Sequence, residues 1–148
     1  MLHPSGAKGI TTVAHCSNSQ AYNGTNLVFM GAAEGGSYDV QWHTAPGFKV
    51  RNLAFDGTSN RYVYSTVHRN NQALNSWVCK YGKTTGAGCG FIIDKNYKPS
   101  TPGSWSATFL RVHRDGVDLC EGGDSGGPWF LGNIAYGIMK SQIGYDAA

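Results

Sequence analysis

One serine in this 148-residue chain sits where a hydroxyl could become a nucleophile. The block Gly122-Gly123-Asp124-Ser125-Gly126-Gly127-Pro128-Trp129 surrounds Ser125 with glycines, whose backbone reaches conformations closed to residues with a Cβ. In such a turn the amides of Gly123 and Ser125 can converge on one small pocket and receive an oxyanion. The same residue types also build ordinary surface turns, so the block alone leaves two readings. A second signal stands about 110 residues upstream: Gly9-Ile10-Thr11-Thr12-Val13-Ala14-His15-Cys16, a β-branched run that reads as a strand and ends in a histidine. Serine is a poor nucleophile until a neighbouring base accepts its proton, and histidine is the side chain suited to that task at neutral pH. His15 is therefore the candidate base. A lone histidine beside a cysteine also occurs as a packed core residue or a metal ligand, but no second His or Cys stands at zinc-finger spacing from this pair.

Thr12-Val13-Ala14-His15-Cys16 and Gly123-Asp124-Ser125-Gly126-Gly127-Pro128 resemble the histidine and serine motifs of the chymotrypsin-like serine proteases. The run Val78-Cys79-Lys80-Tyr81-Gly82-Lys83-Thr84-Thr85-Gly86-Ala87-Gly88-Cys89-Gly90 resembles the small disulfide loop of the compact bacterial branch, the streptogrisin-like and α-lytic-like secreted proteases. The resemblance implies a serine endopeptidase that hydrolyses proteins or peptides through an acyl-enzyme, with no cofactor. It also implies an aspartate between the histidine and the serine, and Tyr38-Asp39-Val40-Gln41-Trp42 fits that place. Asp39 follows a Gly35-Gly36 turn and enters an alternating run, which suits a buried carboxylate that orients an imidazole. Asp56 is the rival, although Asp56-Gly57 favours a hairpin turn. The expected site is thus His15, Asp39 and Ser125, with the amides of Gly123 and Ser125 as the oxyanion hole.

By the same resemblance Cys79 and Cys89 form a disulfide that closes a nine-residue loop, worth about 2–3 kcal/mol. Cys16 and Cys120 lack the family's partner cysteines and are left as free thiols, with a Cys16–Cys120 bridge as the alternative. Asp124 needs a partner if it is buried, and Arg111 and Arg114 are the candidates. Counting to the primary pocket reaches Asp118 from Cys120, which favours Lys or Arg, and Leu119 from Ser125, which favours an apolar side chain. A solvated loop acid explains Asp118 equally well. Tyr136-Gly137-Ile138-Met139-Lys140-Ser141 resembles the strand that pairs with an extended substrate, which places Ile138, Met139 and Lys140 at the substrate. Lys140-Ser141-Gln142 departs there from the family's usual Ser-Gly-Gly.

The elements that must position these residues read as short strands. Twenty-one glycines, eight tyrosines and only 14% charged residues give an all-β pattern with tight turns and few helix signals. Strands are expected over 25–30, 38–42, 61–68, 77–81, 91–94, 105–112 and 134–139, with a loop over 95–104 that holds Pro99 and Pro102. The resemblance implies two packed antiparallel β-barrels in a single domain, about residues 1–72 and 73–148, with the site between them. The chain reads as truncated at both ends of that fold, and Met1-Leu2-His3-Pro4-Ser5-Gly6 lacks the basic start and apolar core of a signal peptide. A net charge of +3, scattered over the chain, argues against nucleic acid. No apolar stretch approaches the roughly 20 residues of a membrane-spanning helix. Four cysteines suit an oxidising compartment or a reduced one, and the resemblance favours a secreted monomer. The competing expectation is an inactive truncated homologue that keeps the motifs and serves as a binding module, or has no function.

Overall fold

Runs of β-branched and aromatic residues punctuated by Gly, Asn and Pro give a chain built from short strands. A computed structural model describes residues 8–143 and 146–148; the Met1 to Gly6 opening read for a leader lies outside the described residues. The strands are β1 Ile10–Thr12, β2 Ala21–Tyr22, β3 Thr25–Asn26, β4 Val28–Gly35, β5 Tyr38–Thr44, β6 Leu53–Phe55, β7 Asn60–Tyr62 and β8 Ser65–Thr66. After a 3-10 turn over Arg69–Asn71 come β9 Trp77–Gly82, β10 Gly86–Tyr97, β11 Phe109–His113, β12 Pro128–Leu131, β13 Ile134–Ile138, β14 Gln142–Ile143 and β15 Asp146–Ala147. That single turn is all the helix among the described residues, so the architecture is all-β as expected.

One sheet has the order β1-β5-β4, and a second of eight strands runs β14-β15-β11-β10-β9-β12-β13-β8, with β2-β3 and β6-β7 as separate ribbons. Among the described residues neither large sheet closes on itself. All named pairs are antiparallel except β8 with β13, which ties residues 65–66 to the second sheet. The main core lies on that sheet, where Val78, Ile92, Val112, Leu119, Trp129 and Met139 pack together. Strand period explains the rest of the positioning. On β5 the buried face carries Asp39, Gln41 and His43, so this strand turns polar groups inward. Gln41 Nε2 donates to the carbonyls of Val13 at 2.8 Å and Cys16 at 2.9 Å, and Gln41 Oε1 lies 2.9 Å from His43 Nε2. Buried polar groups of this kind require partners, and here the partners are the backbone of the turn that carries His15.

Four sequence expectations are corrected in extent: the run expected over 25–30 is divided between β3 and β4, and that over 61–68 between β7 and β8. The loop expected from Lys95 begins later because β10 continues to Tyr97, which pairs with Phe109 at the start of β11. Residues 105–108 lie outside β11; Trp105 is nevertheless buried, its Nε1 donating to the carbonyls of Thr101 and Pro102 at 3.1 Å each. Strand β12 was hidden by the Gly-Gly-Pro that opens it.

Cys79 and Cys89 face each other across the β9–β10 ladder and are joined as a disulfide, while Cys16 and Cys120 are free, so no bridge links those two. Reducing the disulfide is expected to cost about 2–3 kcal/mol, because the denatured chain regains the freedom that a closed loop removes. A Cys79→Ser/Cys89→Ser variant should therefore unfold at lower urea. An unmoved midpoint would mean that the ladder alone fixes this hairpin.

Candidate active site

The turn after β1 holds His15 by its own backbone: its amide donates to Asp39 Oδ1 at 3.0 Å. The ring repeats the contact, with Nδ1 2.7 Å from Asp39 Oδ2, and its other nitrogen, Nε2, lies 3.0 Å from Ser125 Oγ. Residues 24 and 110 positions apart in sequence thus stand in one line. With the ring proton on Nδ1, donated to Asp39, the lone pair of Nε2 faces the Ser125 hydroxyl. That hydroxyl also lies 3.2 Å from the Lys140 carbonyl, which can accept its proton in competition with the imidazole.

Asp39 is only 7% exposed. Burial pushes its carboxyl pKa up, but hydrogen bonds from Lys140 Nζ at 2.9 Å and from the ring and amide of His15 outweigh this and leave it below the ordinary aspartate value. Asp56, the rival carboxylate, sits in the β6–β7 turn. It accepts from the amides of Ser59 and Thr58 and pairs with Arg61 at 2.8 Å, contacts that hold its pKa down to about 2. It closes a hairpin and makes no contact with His15.

Two of the glycines around Ser125, Gly123 and Gly126, are required by the backbone. Gly123 has φ +101°, and a Cβ there would meet Thr84 Oγ1 at 2.6 Å; Gly126 has φ +85° and packs directly on Thr12 Oγ1. The Gly126 amide donates to the Met139 carbonyl at 2.8 Å and the Gly127 amide to the Asp124 carbonyl at 2.9 Å. The amides of Gly123 and Ser125 donate to no protein acceptor among the described residues. Beside them opens a cleft of about 410 Å³ bordered by His15, Trp105, Gly122, Ser125, Ser141 and Gln142.

Beneath the loop Asp124 is 1% exposed and accepts from Thr84 N at 2.6 Å, Thr85 N at 3.1 Å, Thr85 Oγ1 at 2.6 Å and Glu121 N at 3.1 Å. Burial raises its pKa, and these bonds outweigh burial and hold it low. Its cation is Lys80, fully buried, with Nζ 3.9 Å away and joined through the Thr85 hydroxyl, which accepts from Lys80 and donates to Asp124. The expected arginines are elsewhere: Arg111 pairs with Asp146 at 2.5 Å and Arg114 lies over the Trp77 ring.

No family model matches the chain. Streptogrisin-C of Streptomyces griseus is 27% identical over 140 residues, which cover 92% of this chain and 30% of that protein. The chain therefore spans about a third of the length of this curated relative. The Nocardiopsis protease superposes with a TM-score of 0.79 at 25% identity, over 97% of this chain and 78% of its own. A Cellulomonas bogoriensis chymotrypsin superposes at 0.73 with 25% identity, over 94% and 75%. The chain is similar in sequence and in fold to the bacterial chymotrypsin-like serine proteases. Its all-β fold is the chymotrypsin-like one.

The residues expected at the substrate are divided between the core and the cleft. Leu119 is fully buried in the core and packs there instead of lining the cleft. Met139 is fully buried as well; its backbone, bonded to Gly126 and Gly127, holds the serine loop rather than a substrate. Ile138 pairs with Pro128 in the β12–β13 ladder, outside the cleft lining. Asp118 stands beside the cleft, its Oδ1 3.5 Å from Gln142 Nε2. The Lys140 side chain turns inward to Asp39, leaving its carbonyl near Ser125. Lys80 is the site residue that sequence reasoning missed, and Lys140, expected at the substrate, has its side chain against Asp39 instead. For Lys80 a signal existed: on β9 the alternation puts it on the buried face with Val78 and Gly82.

Proposed function

We propose that this chain is a serine endopeptidase that hydrolyses peptide bonds through an acyl-enzyme. The observation that supports the reading most is the continuous contact from Asp39 Oδ2 through both nitrogens of His15 to Ser125 Oγ, at 2.7 and 3.0 Å. Ser125 Oγ attacks the scissile carbonyl carbon while its proton passes to His15 Nε2. The carbonyl π electrons move to oxygen, and the Gly123 and Ser125 amides, which have no acceptor among the described residues, receive the negative charge. As the C–N bond breaks, His15 returns the proton to the leaving amine; water then repeats the sequence to release the acid and regenerate Ser125. Asp39 keeps the proton on Nδ1 and stabilises the imidazolium formed in each half.

In this reading the His15 and Asp39 half, about residues 1–72, and the Ser125 half, about residues 73–148, form one domain with the cleft between them. The protein acts outside the cell as a monomer on proteins or peptides, without nucleic acid or membrane; the Cys79–Cys89 disulfide favours an oxidising compartment. The test is intact-mass analysis after exposure to a fluorophosphonate, with Ser125→Ala beside it. One adduct on the unmodified chain and none on the variant is the expected result. No adduct on either would favour the inactive homologue.

A further inference from the structure

We propose that Lys140 is a positioning residue for the reaction, a buried ammonium that holds the Asp39 carboxylate ionised and in register with His15. This rests on the peptidase reading above. Lys140 is 4% exposed, and its Nζ lies 2.9 Å from Asp39 Oδ2, the oxygen that also faces His15 Nδ1. The ammonium is caged by aromatic rings, 3.6 Å from the Trp105 centroid and 5.9 Å from that of Phe109. Such a cage excludes water while the ring face favours the cation. Trp105 is itself fixed through its Nε1 hydrogen bonds to Thr101 and Pro102. The Lys140 backbone is equally constrained: its amide donates to the Ala148 carbonyl at 2.6 Å and its own carbonyl lies 3.2 Å from Ser125 Oγ. One residue therefore touches both ends of the Asp39–His15–Ser125 line.

Stability is a weak reason for this arrangement, because a buried ion pair commonly does no better than apolar side chains of the same volume. The electrostatic consequence is specific. A cation beside the carboxylate favours its ionised form, which is the form that accepts from His15 Nδ1. The same contact prevents the carboxylate from rotating away from His15. The charged and titratable groups around Asp39 are His15 and Cys16 from the turn after β1, Glu34 in register opposite it on β4, and Lys140 from the segment after β13; Glu121 borders the cleft with His15. Of these only Lys140 brings a permanent positive charge to Asp39.

The experiment uses the whole chain, with Lys140→Met and Lys140→Arg. Two quantities are followed against pH: the rate of fluorophosphonate labelling and the 13C shift of the Asp39 carboxyl. In K140M the acid limb of labelling is expected to move up by about one pH unit, with a rise in the Asp39 midpoint, and K140R is expected to restore both. Unmoved limb and midpoint in K140M would overturn the proposal while leaving the peptidase reading intact. If the unmodified chain fails to label, the peptidase reading falls, and the Asp39 midpoint in K140M still decides whether Lys140 holds the carboxylate. Should K140M fail to fold, Lys140→Gln is read in its place: an Asp39 midpoint equal to that of the unmodified chain overturns the proposal, and a raised one supports it.

Discussion

Asp39→Asn is expected to lower kcat/KM by about four orders of magnitude and, in the same variant, to destabilise the fold by about 3–5 kcal/mol. The catalytic loss follows from hydrogen-bond chemistry. An asparagine can present its NH2 to His15 Nδ1, which then accepts and carries no proton; the ring proton moves to Nε2 and faces Ser125, where a lone pair is needed. The loss of stability has a different origin. Lys140 Nζ is buried against Asp39 Oδ2, and removal of the negative charge leaves an ammonium with a weakened partner inside the protein. The two effects can be separated. Adding Lys140→Met to Asp39→Asn should recover most of the urea midpoint while kcat/KM remains lost, since the double variant has no stranded charge and still has the wrong tautomer. Strict additivity of the two substitutions in stability would show that the ion pair carries no coupling and would sink this account.

How far the sequence revealed this arrangement depends on the range over which each signal acts. The strand periods that placed His15 and Asp39 are local, as is the glycine requirement around Ser125, and all three were legible from residue types at short spacing. Asp56 could be set aside for the same reason, because Asp-Gly makes a turn by its own chemistry and does so here. Charge partners are not local. Lys140 meets Asp39 across 101 positions, and nothing in Met139-Lys140-Ser141 states which way the side chain points. Lys80 was an intermediate case: the alternation of β9 turned it inward, yet its proximity to Asp124 depends on how β9 and the 121–125 turn meet in space. The burial of the Leu119 and Met139 side chains was hidden for a related reason. Both are large apolar residues near the serine, and the core beneath the cleft competed for them and won.

The same reasoning makes Asp124 the residue whose removal should harm the serine loop most. Asp124→Ala is expected to cost about 3–5 kcal/mol, because a fully buried carboxylate is deleted while Lys80 stays buried behind it. The damage should reach Ser125. The carboxylate ties the amides of Thr84, Thr85 and Glu121 together, and without it the turn that aims Ser125 loses its link to the β9–β10 hairpin. Asp124→Asn would not substitute, because an amide NH2 placed among backbone donors turns an attractive contact into a repulsive one. The pH dependence provides a check on origin. Burial raises the Asp124 pKa, but the hydrogen bonds outweigh it, so the folded value lies below the unfolded value near 3.8. A group held low in the folded state contributes stability that is fully present above the unfolded pKa and is lost as pH falls through the folded one. The gap in urea midpoint between the unmodified chain and Asp124→Ala should therefore stay constant from neutral pH down to about pH 4 and narrow below it. A gap that widens in acid would mean that Asp124 binds its proton more tightly in the folded protein, contrary to the hydrogen bonds around it. The two carboxylates also separate by what they support: restoring the charge balance with Lys80→Met should return stability to Asp124→Ala but leave fluorophosphonate labelling weak, since the turn around Ser125 would still lack its acceptor.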